Sequence, residues 1–187
     1  MTIISKAISD VRTSFRETSK VFLLWGWILT LASFSNFIIL KILHAREAYQ
    51  LMGIYSFGTW IVFAIAGFII LYFMQRRVKR VKKVYSHLDG YIKSLWTISA
   101  VSFILAALIC TKMEVLPPPF MLLIGGLATT ATGLFIKFRP LIIGGIVFFA
   151  GAIASTFVSF EYIALLVGLT VIGGYLVPGY ILRSSKE

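Results

Sequence analysis

LIIGGIVFFAGAIASTFVSFEYIALLVGLTVIGGYLVPGYIL, residues 141–182, is a run of 42 residues in which Glu161 is the only charged side chain. As one straight helix it would extend about 63 Å at 1.5 Å per residue, roughly twice the thickness of bilayer hydrocarbon. The chain has to turn back inside it, and Ser159-Phe160-Glu161-Tyr162 is the expected place. Two spans result, over 140–160 and 162–182, each close to the roughly 20 residues that a crossing requires.

Upstream, four more apolar runs of similar length lie at 118–136, 92–111, 52–74 and 21–43. The fold class read from this pattern is an all-α membrane protein, a bundle of six transmembrane helices forming one domain over residues 1–187. Composition agrees. The chain is 59% hydrophobic and 13% charged, against about 45–50% and about 25% in soluble domains. The connections are too short for a soluble catalytic head.

Lysine and arginine fix the expected orientation. With a cytoplasmic N-terminus, Lys41, Arg46 and Lys112 are the only outer basic residues of the 18 Lys and Arg. The remainder fall at the N-terminus, in the 75–91 connection and at Lys93 just after it, at Lys137 and Arg139, and at the C-terminus, so the positive-inside rule puts both termini inside. The net charge of +11 therefore reads as a topology signal, not as a nucleic-acid footprint. Trp25, Trp27 and Trp96 fall near inner span ends, as interfacial aromatics should, and Trp60 does not. No cleavage pattern follows the first apolar run, so the first helix is expected to be kept as a signal anchor.

Ahead of the first span, Ile4, Ile8, Val11 and Phe15 recur at helical spacing, and residues 1–20 read as an amphipathic interfacial helix, either docking on the membrane or binding a partner. In the basic connection 75–91, Val78, Val81, Tyr85 and Leu88 keep the same spacing. Span two is thus expected to continue as helix into the cytoplasm, with Asp89-Gly90 as its stop. Arg76, Arg77, Lys79, Arg80, Lys82 and Lys83 make this stretch the candidate contact for anionic lipids at the cytoplasmic face or for an acidic protein partner.

Glycine is distributed unevenly. Ten of the 15 glycines lie from Gly125 onward, whereas all four tryptophans precede residue 100. In lipid, apolar side chains gain nothing by leaving the solvent, and small residues drive close helix packing instead. Gly126, Gly133, Gly144, Gly145, Gly151, Gly173 and Gly174 are therefore the candidate packing residues of a tight sub-bundle of spans four to six. Gly53 and Gly67 are expected in looser or lipid-facing positions. A backbone-lined path along the same helices, a small transporter or channel, is the rival reading.

Chemistry-bearing residues are sparse. The span interiors hold no Asp, Glu, Lys, Arg or His, the groups that mark proton relays and ion paths in membranes. Thr30, Ser33, Ser35 and Asn36 in span one and the threonines of span four are expected to make hydrogen bonds between helices. His44 and His87 fall on opposite sides of the membrane, Cys110 is the single cysteine, and Glu114 and Glu161 sit at the outer surface, each without a companion. No catalytic, cofactor or metal residues are assigned, and the chain reads as non-enzymatic.

Leu23-Leu24-Trp25-Gly26-Trp27, Lys137-Phe138-Arg139-Pro140-Leu141-Ile142-Ile143-Gly144-Gly145 and Gly174-Tyr175-Leu176-Val177-Pro178-Gly179-Tyr180 resemble a family of small six-helix bacterial inner-membrane proteins with no assigned activity. The similarity runs from residue 20 onward. It implies a multi-pass protein of the bacterial inner membrane. Members are often encoded near small winged-helix regulators, which implies an accessory or regulatory role.

Overall fold

The structure, a computed structural model, describes residues 3–78 and 87–184. Among them the elements are helices joined by tight turns: α1 (Ile3–Ala45), α2 (Tyr49–Val78), α3 (His87–Met113), α4 (Pro118–Phe135), α5 (Arg139–Ala154), α6 (Phe160–Val171), a π-helical segment (Ile172–Leu176) and α7 (Val177–Ser184). Five stretches are long and apolar enough to cross a membrane: Ser19–Ala45, Tyr49–Met74, Gly90–Met113, Pro118–Phe135 and Phe160–Ser184. The protein is an all-helical bundle of membrane-spanning type. The remaining apolar helix, α5, has 16 residues, or about 24 Å at 1.5 Å per residue.

Three of the turns share one construction. Glu47, Glu114 and Lys137 each adopt a positive φ, of 56°, 56° and 54°. The residue that follows donates back across the turn: Ala48 N–H to Leu43 O, Val115 N–H to Cys110 O, and Phe138 N–H to Gly133 O. Left-handed residues at this position ordinarily are glycine, because a Cβ makes the conformation costly. Here charged residues occupy it.

The chain reverses earlier than the sequence suggests. Helix α5 ends at Ala154 and α6 begins at Phe160, so the turn occupies residues 155–159 and Glu161 lies in the first turn of α6. The Ser155 and Thr156 hydroxyls donate to the carbonyls of Ala152 and Ile153, satisfying acceptors that the ending helix leaves open. Glu161 is better placed in α6, where its charge meets the positive end of the helix dipole.

Asp89-Gly90 is also not a stop, since both residues lie inside α3. A single glycine costs only about 1 kcal/mol against alanine in a helix, and the apolar run that follows outweighs it. Span two does continue past Met74, to Val78, while its further expected course, with Lys79, Arg80, Lys82 and Lys83, lies outside the described residues. Helix α1 runs unbroken from Ile3 into the first span, so the N-terminal segment is helical and continuous with it. Which of its side chains, Ile4, Ile8, Val11 and Phe15 among them, face lipid lies outside the described residues.

Helices α1, α4, α5, α6 and α7 form the body of the bundle. Its core gathers Phe22, Leu122, Leu141, Phe148, Ile163, Val167, Val171 and Tyr175, with Trp60 and Trp96 packed against its edge. A smaller cluster of Leu40, Met52 and Ala164 closes the other end. The most extensive helix pair is α4 with α5, whereas α2 leans chiefly on α1 and α3 on α4.

The π-helical segment has a local cause. Pro178 has no N–H to offer the carbonyl of Gly174, and its ring would crowd that carbonyl in a regular α-helix. Widening the preceding turn relieves the clash, and the Val177 N–H then bonds to Ile172 O, five residues back. The proline therefore does not end the helix, and α7 continues to Ser184.

Candidate functional site

The glycine-rich interface is built by backbones in near contact. A Cβ on Gly133 would stand 2.8 Å from Ile142 N, and one on Gly145 would meet Thr130 N at 2.9 Å and Gly126 O at 3.0 Å, so α4 and α5 meet with no room for side chains at these points. On the other side of α5, a Cβ on Gly144 would lie 2.5 Å from Gly174 O and 3.1 Å from Pro178 Cγ. The carbonyl that Pro178 leaves without its regular helical donor thus faces the Gly144 Cα, the geometry of a weak Cα–H···O contact. Gly151 abuts Thr170, and Gly126 and Gly174 are filled by Phe149 and Phe148. Gly173 is less constrained, with Val147 as its one neighbour, at 3.1 Å.

Gly67 departs from its expected place. It is buried where α2 crosses α1, and a Cβ there would lie 3.0 Å from the Trp25 ring and 3.2 Å from Ile28. Gly53 has open space around it. Sequence periodicity could not separate the two, because α2 is apolar on every side.

At the centre of the bundle stands Tyr175, 4% exposed. Its ring packs against Phe148, Phe22 and Trp96 at centroid distances of 4.6, 5.5 and 6.3 Å, and its hydroxyl pairs with the side chain of Thr129. Trp96 reaches across from α3 and donates its indole N–H to Thr132 Oγ1 at 3.2 Å. Both threonines donate onward to carbonyls of their own helix, Gly125 O and Ala128 O. Thr129 and Thr132 therefore anchor aromatic side chains, while Thr130 Oγ1 is buried without a hydrogen-bond partner in the protein.

The basic connection is partly described. Arg76 is exposed at the end of α2 with its guanidinium 4.5 Å from the centre of the Tyr72 ring. Arg77 lies in the same turn of helix, and Lys93 is exposed near the start of α3. Trp27 donates to the Tyr180 hydroxyl at 3.0 Å, and Gly179 abuts Leu23, which brings the start of span one and the end of α7 to one end of the bundle. The basic residues Lys93, Lys137, Arg139 and Arg183 lie within two turns of Trp96, Thr132 and Tyr180 at that end.

The opposite end holds a cluster that the sequence did not reveal. His44 Nδ1 stands 3.2 Å from Glu161 Oε1, and Lys41 Nζ lies 4.0 Å from Glu161 Oε2. The Lys41 ammonium also donates to the Tyr162 hydroxyl at 3.3 Å and sits over the rings of Tyr162 and Phe37 at 4.8 and 5.9 Å. Glu161 thus has two companions, correcting the expectation that it stood alone. The missing signal was the adjacency of α1 and α6, which no local pattern encodes. All three side chains are partly exposed, so the cluster acts as a clasp between two helix ends.

Among the described residues, no group of three or more His, Cys, Asp or Glu side chains is placed to hold a metal. Cys110 is buried and free. Two shallow, open grooves flank α2: one against α1, lined by Ser35, Tyr55 and Gly58, and one against α3, lined by Phe57, Leu108 and Lys112. No protein family, curated protein or solved structure matches the chain.

Proposed function

We propose that this chain is a non-enzymatic accessory or regulatory protein of a bacterial inner membrane, with both termini cytoplasmic, acting through its basic inner face on anionic lipids or an acidic protein partner. The observation that carries the reading is the filled glycine interface. Phe148, Phe149, Thr130 and Thr170 occupy the faces that a backbone-lined path along α4 to α6 would need open. The shallow grooves beside α2 lie at the bundle's periphery. Basic residues gathered at one end supply the contact, at about 1 kcal/mol per charge near an anionic surface.

The test is reconstitution with spin-labelled lipids. The protein should immobilise phosphatidylglycerol in preference to phosphatidylcholine, and salt should weaken the preference. Replacing Arg76, Arg77, Lys79, Arg80, Lys82 and Lys83 by glutamine should abolish it. Unchanged selectivity in that variant, or solute flux above that of protein-free vesicles, would overturn the proposal. A cysteine at position 79, in a Cys110→Ser background, should be labelled only from the cytoplasmic side.

A further inference from the structure

Thr30, Ser33 and Asn36 follow one another on α1 at steps of three and are 4%, 0% and 3% exposed. Ser33 abuts Gly168 of α6, whose added Cβ would lie 3.1 Å from the serine Cβ. Asn36 Nδ2 donates to Ser56 Oγ of α2 at 3.0 Å. The ridge therefore runs along the crease where α1, α2 and α6 meet. Three oxygens on it, Thr30 Oγ1, Ser33 Oγ and Asn36 Oδ1, are buried and have no hydrogen-bond partner within the protein.

Other buried hydroxyls differ. Thr129, Thr132, Ser155 and Ser99 each donate to a carbonyl of their own helix. Thr130 Oγ1, also unpaired, is wedged against Gly145, where the glycine Cα offers a weak contact. Among the described residues only the α1 ridge concentrates unpaired polar atoms, and inside a bilayer such atoms are costly to leave so.

We infer that the ridge binds water within the first span, one molecule bridging Thr30 and Ser33 and another bridging Ser33 and Asn36. Side chains three apart on a helix have Cβ atoms about 5–6 Å apart, a gap that one water closes with two bonds of about 2.8 Å. Water also matches the chemistry. Thr30 and Ser33 each bring an O–H donor as well as an acceptor, while Asn36 Oδ1 only accepts. A cation would use the oxygens and leave both hydroxyl hydrogens without acceptors, and the ridge itself offers no carboxylate to balance it. The ridge rises about 9 Å from Thr30 to Asn36, too far for a single ion to be held by all three. The contact of α1 with α2 and α6 is then wet and exchangeable.

The experiment uses the full chain in lipid nanodiscs and reads magnetisation transfer by NMR from water to the Asn36 side-chain amide and the Ser33 backbone amide. Transfer is expected at both, with none at the Thr129 amide. The double variant Thr30→Val with Ser33→Ala should lose it while the Asn36–Ser56 hydrogen bond survives, as reported by the unchanged chemical shift of Ser56. Absence of transfer in the native chain, or its persistence in a folded double variant, would overturn the inference. Repeating the measurement in sodium, potassium and choline chloride separates the sources: shifts of Asn36 specific to one cation would replace the water reading by an ion site.

Discussion

Helix α2 and helix α4 differ in a way that inverts the usual rule of soluble proteins. Over its most apolar 18 residues α2 has a mean hydropathy of 2.2 with 11% of those residues buried, whereas α4 has 1.3 with 39% buried. The more hydrophobic helix is the less covered one. In water that would mark an error, but in a bilayer the solvent is itself apolar, so hydropathy measures fitness for lipid and small residues measure fitness for neighbours. α4 presents Gly126, Thr130 and Gly133 to α5, and α2 presents Phe57, Val62, Phe68 and Phe73 outward.

The sharpest test of that contrast is Gly145→Leu. Its new side chain would run into the backbone of α4 at Thr130 and Gly126, which cannot move without separating the two helices. Overpacking of this kind costs about 1–3 kcal/mol and occasionally more, so thermal unfolding in detergent or nanodiscs should shift strongly downward. An unshifted transition would mean that the α4–α5 contact is looser than its geometry, and the distinction between the two regions would fail.

Gly67→Leu should come second. Its obstacle is the edge of the Trp25 ring and the tip of Ile28, side chains that can give way, though Trp25 is also held against Phe68 at 5.2 Å. A loss of about 1 kcal/mol is expected, near the lower bound for overpacking, read as a smaller shift in the same melt. A loss equal to that at Gly145 would show that α2 is fixed as firmly as α5.

How much of this was legible follows from what each feature depends on. Spans and small-residue spacing are local, and the sequence carried them. The turns were harder, because Glu47, Glu114 and Lys137 take the left-handed position that glycine would have announced. The end of α5 was obscured because Ser155 and Thr156 serve both as helix residues and as caps. Gly67 and the clasp of Lys41 and His44 on Glu161 depend on which helices become neighbours. Hydropathy does not encode that choice when most faces are equally apolar. The basic face was read from composition, and its members Lys79, Arg80, Lys82 and Lys83 lie outside the described residues.

The turns supply a prediction of opposite sign. Lys137→Gly removes a Cβ from a left-handed residue whose penalty is roughly 1–2 kcal/mol, offset by the entropy that glycine adds to the unfolded chain. A gain of about 0.5 kcal/mol is expected, visible as a small upward shift of the melt and no change in helix content. A destabilised Lys137→Gly protein would mean that the lysine side chain itself holds the α4–α5 turn.

Glu161→Gln ranks lower. The carboxylate meets His44 and Lys41 where all three are partly exposed, and exposed ion pairs contribute about 0–1 kcal/mol. The difference between native and variant melts should be small at low salt and vanish at high salt. Persistence at high salt would indicate that the end of α1 and the start of α6 are held together by something besides charge.

The smallest expected effect discriminates most. Gly53 lies on α2 with nothing within 4 Å of the place a Cβ would take, so Gly53→Leu meets no obstacle inside the chain. Leucine is favoured over glycine in a helix by roughly 0.8 kcal/mol, and a leucine facing lipid gains a few tenths more on insertion scales, about 0.3–0.6 kcal/mol at a span centre and less near its end. The variant should therefore melt at the native temperature or slightly above it. A clear loss of stability would find no cause in the space around the new Cβ. It would mean that the outward face of α2 is covered in the membrane by another helix, of a second copy or of a partner, and that its low burial describes the isolated chain and not the assembled one. Crosslinking from position 53 would then identify the neighbour.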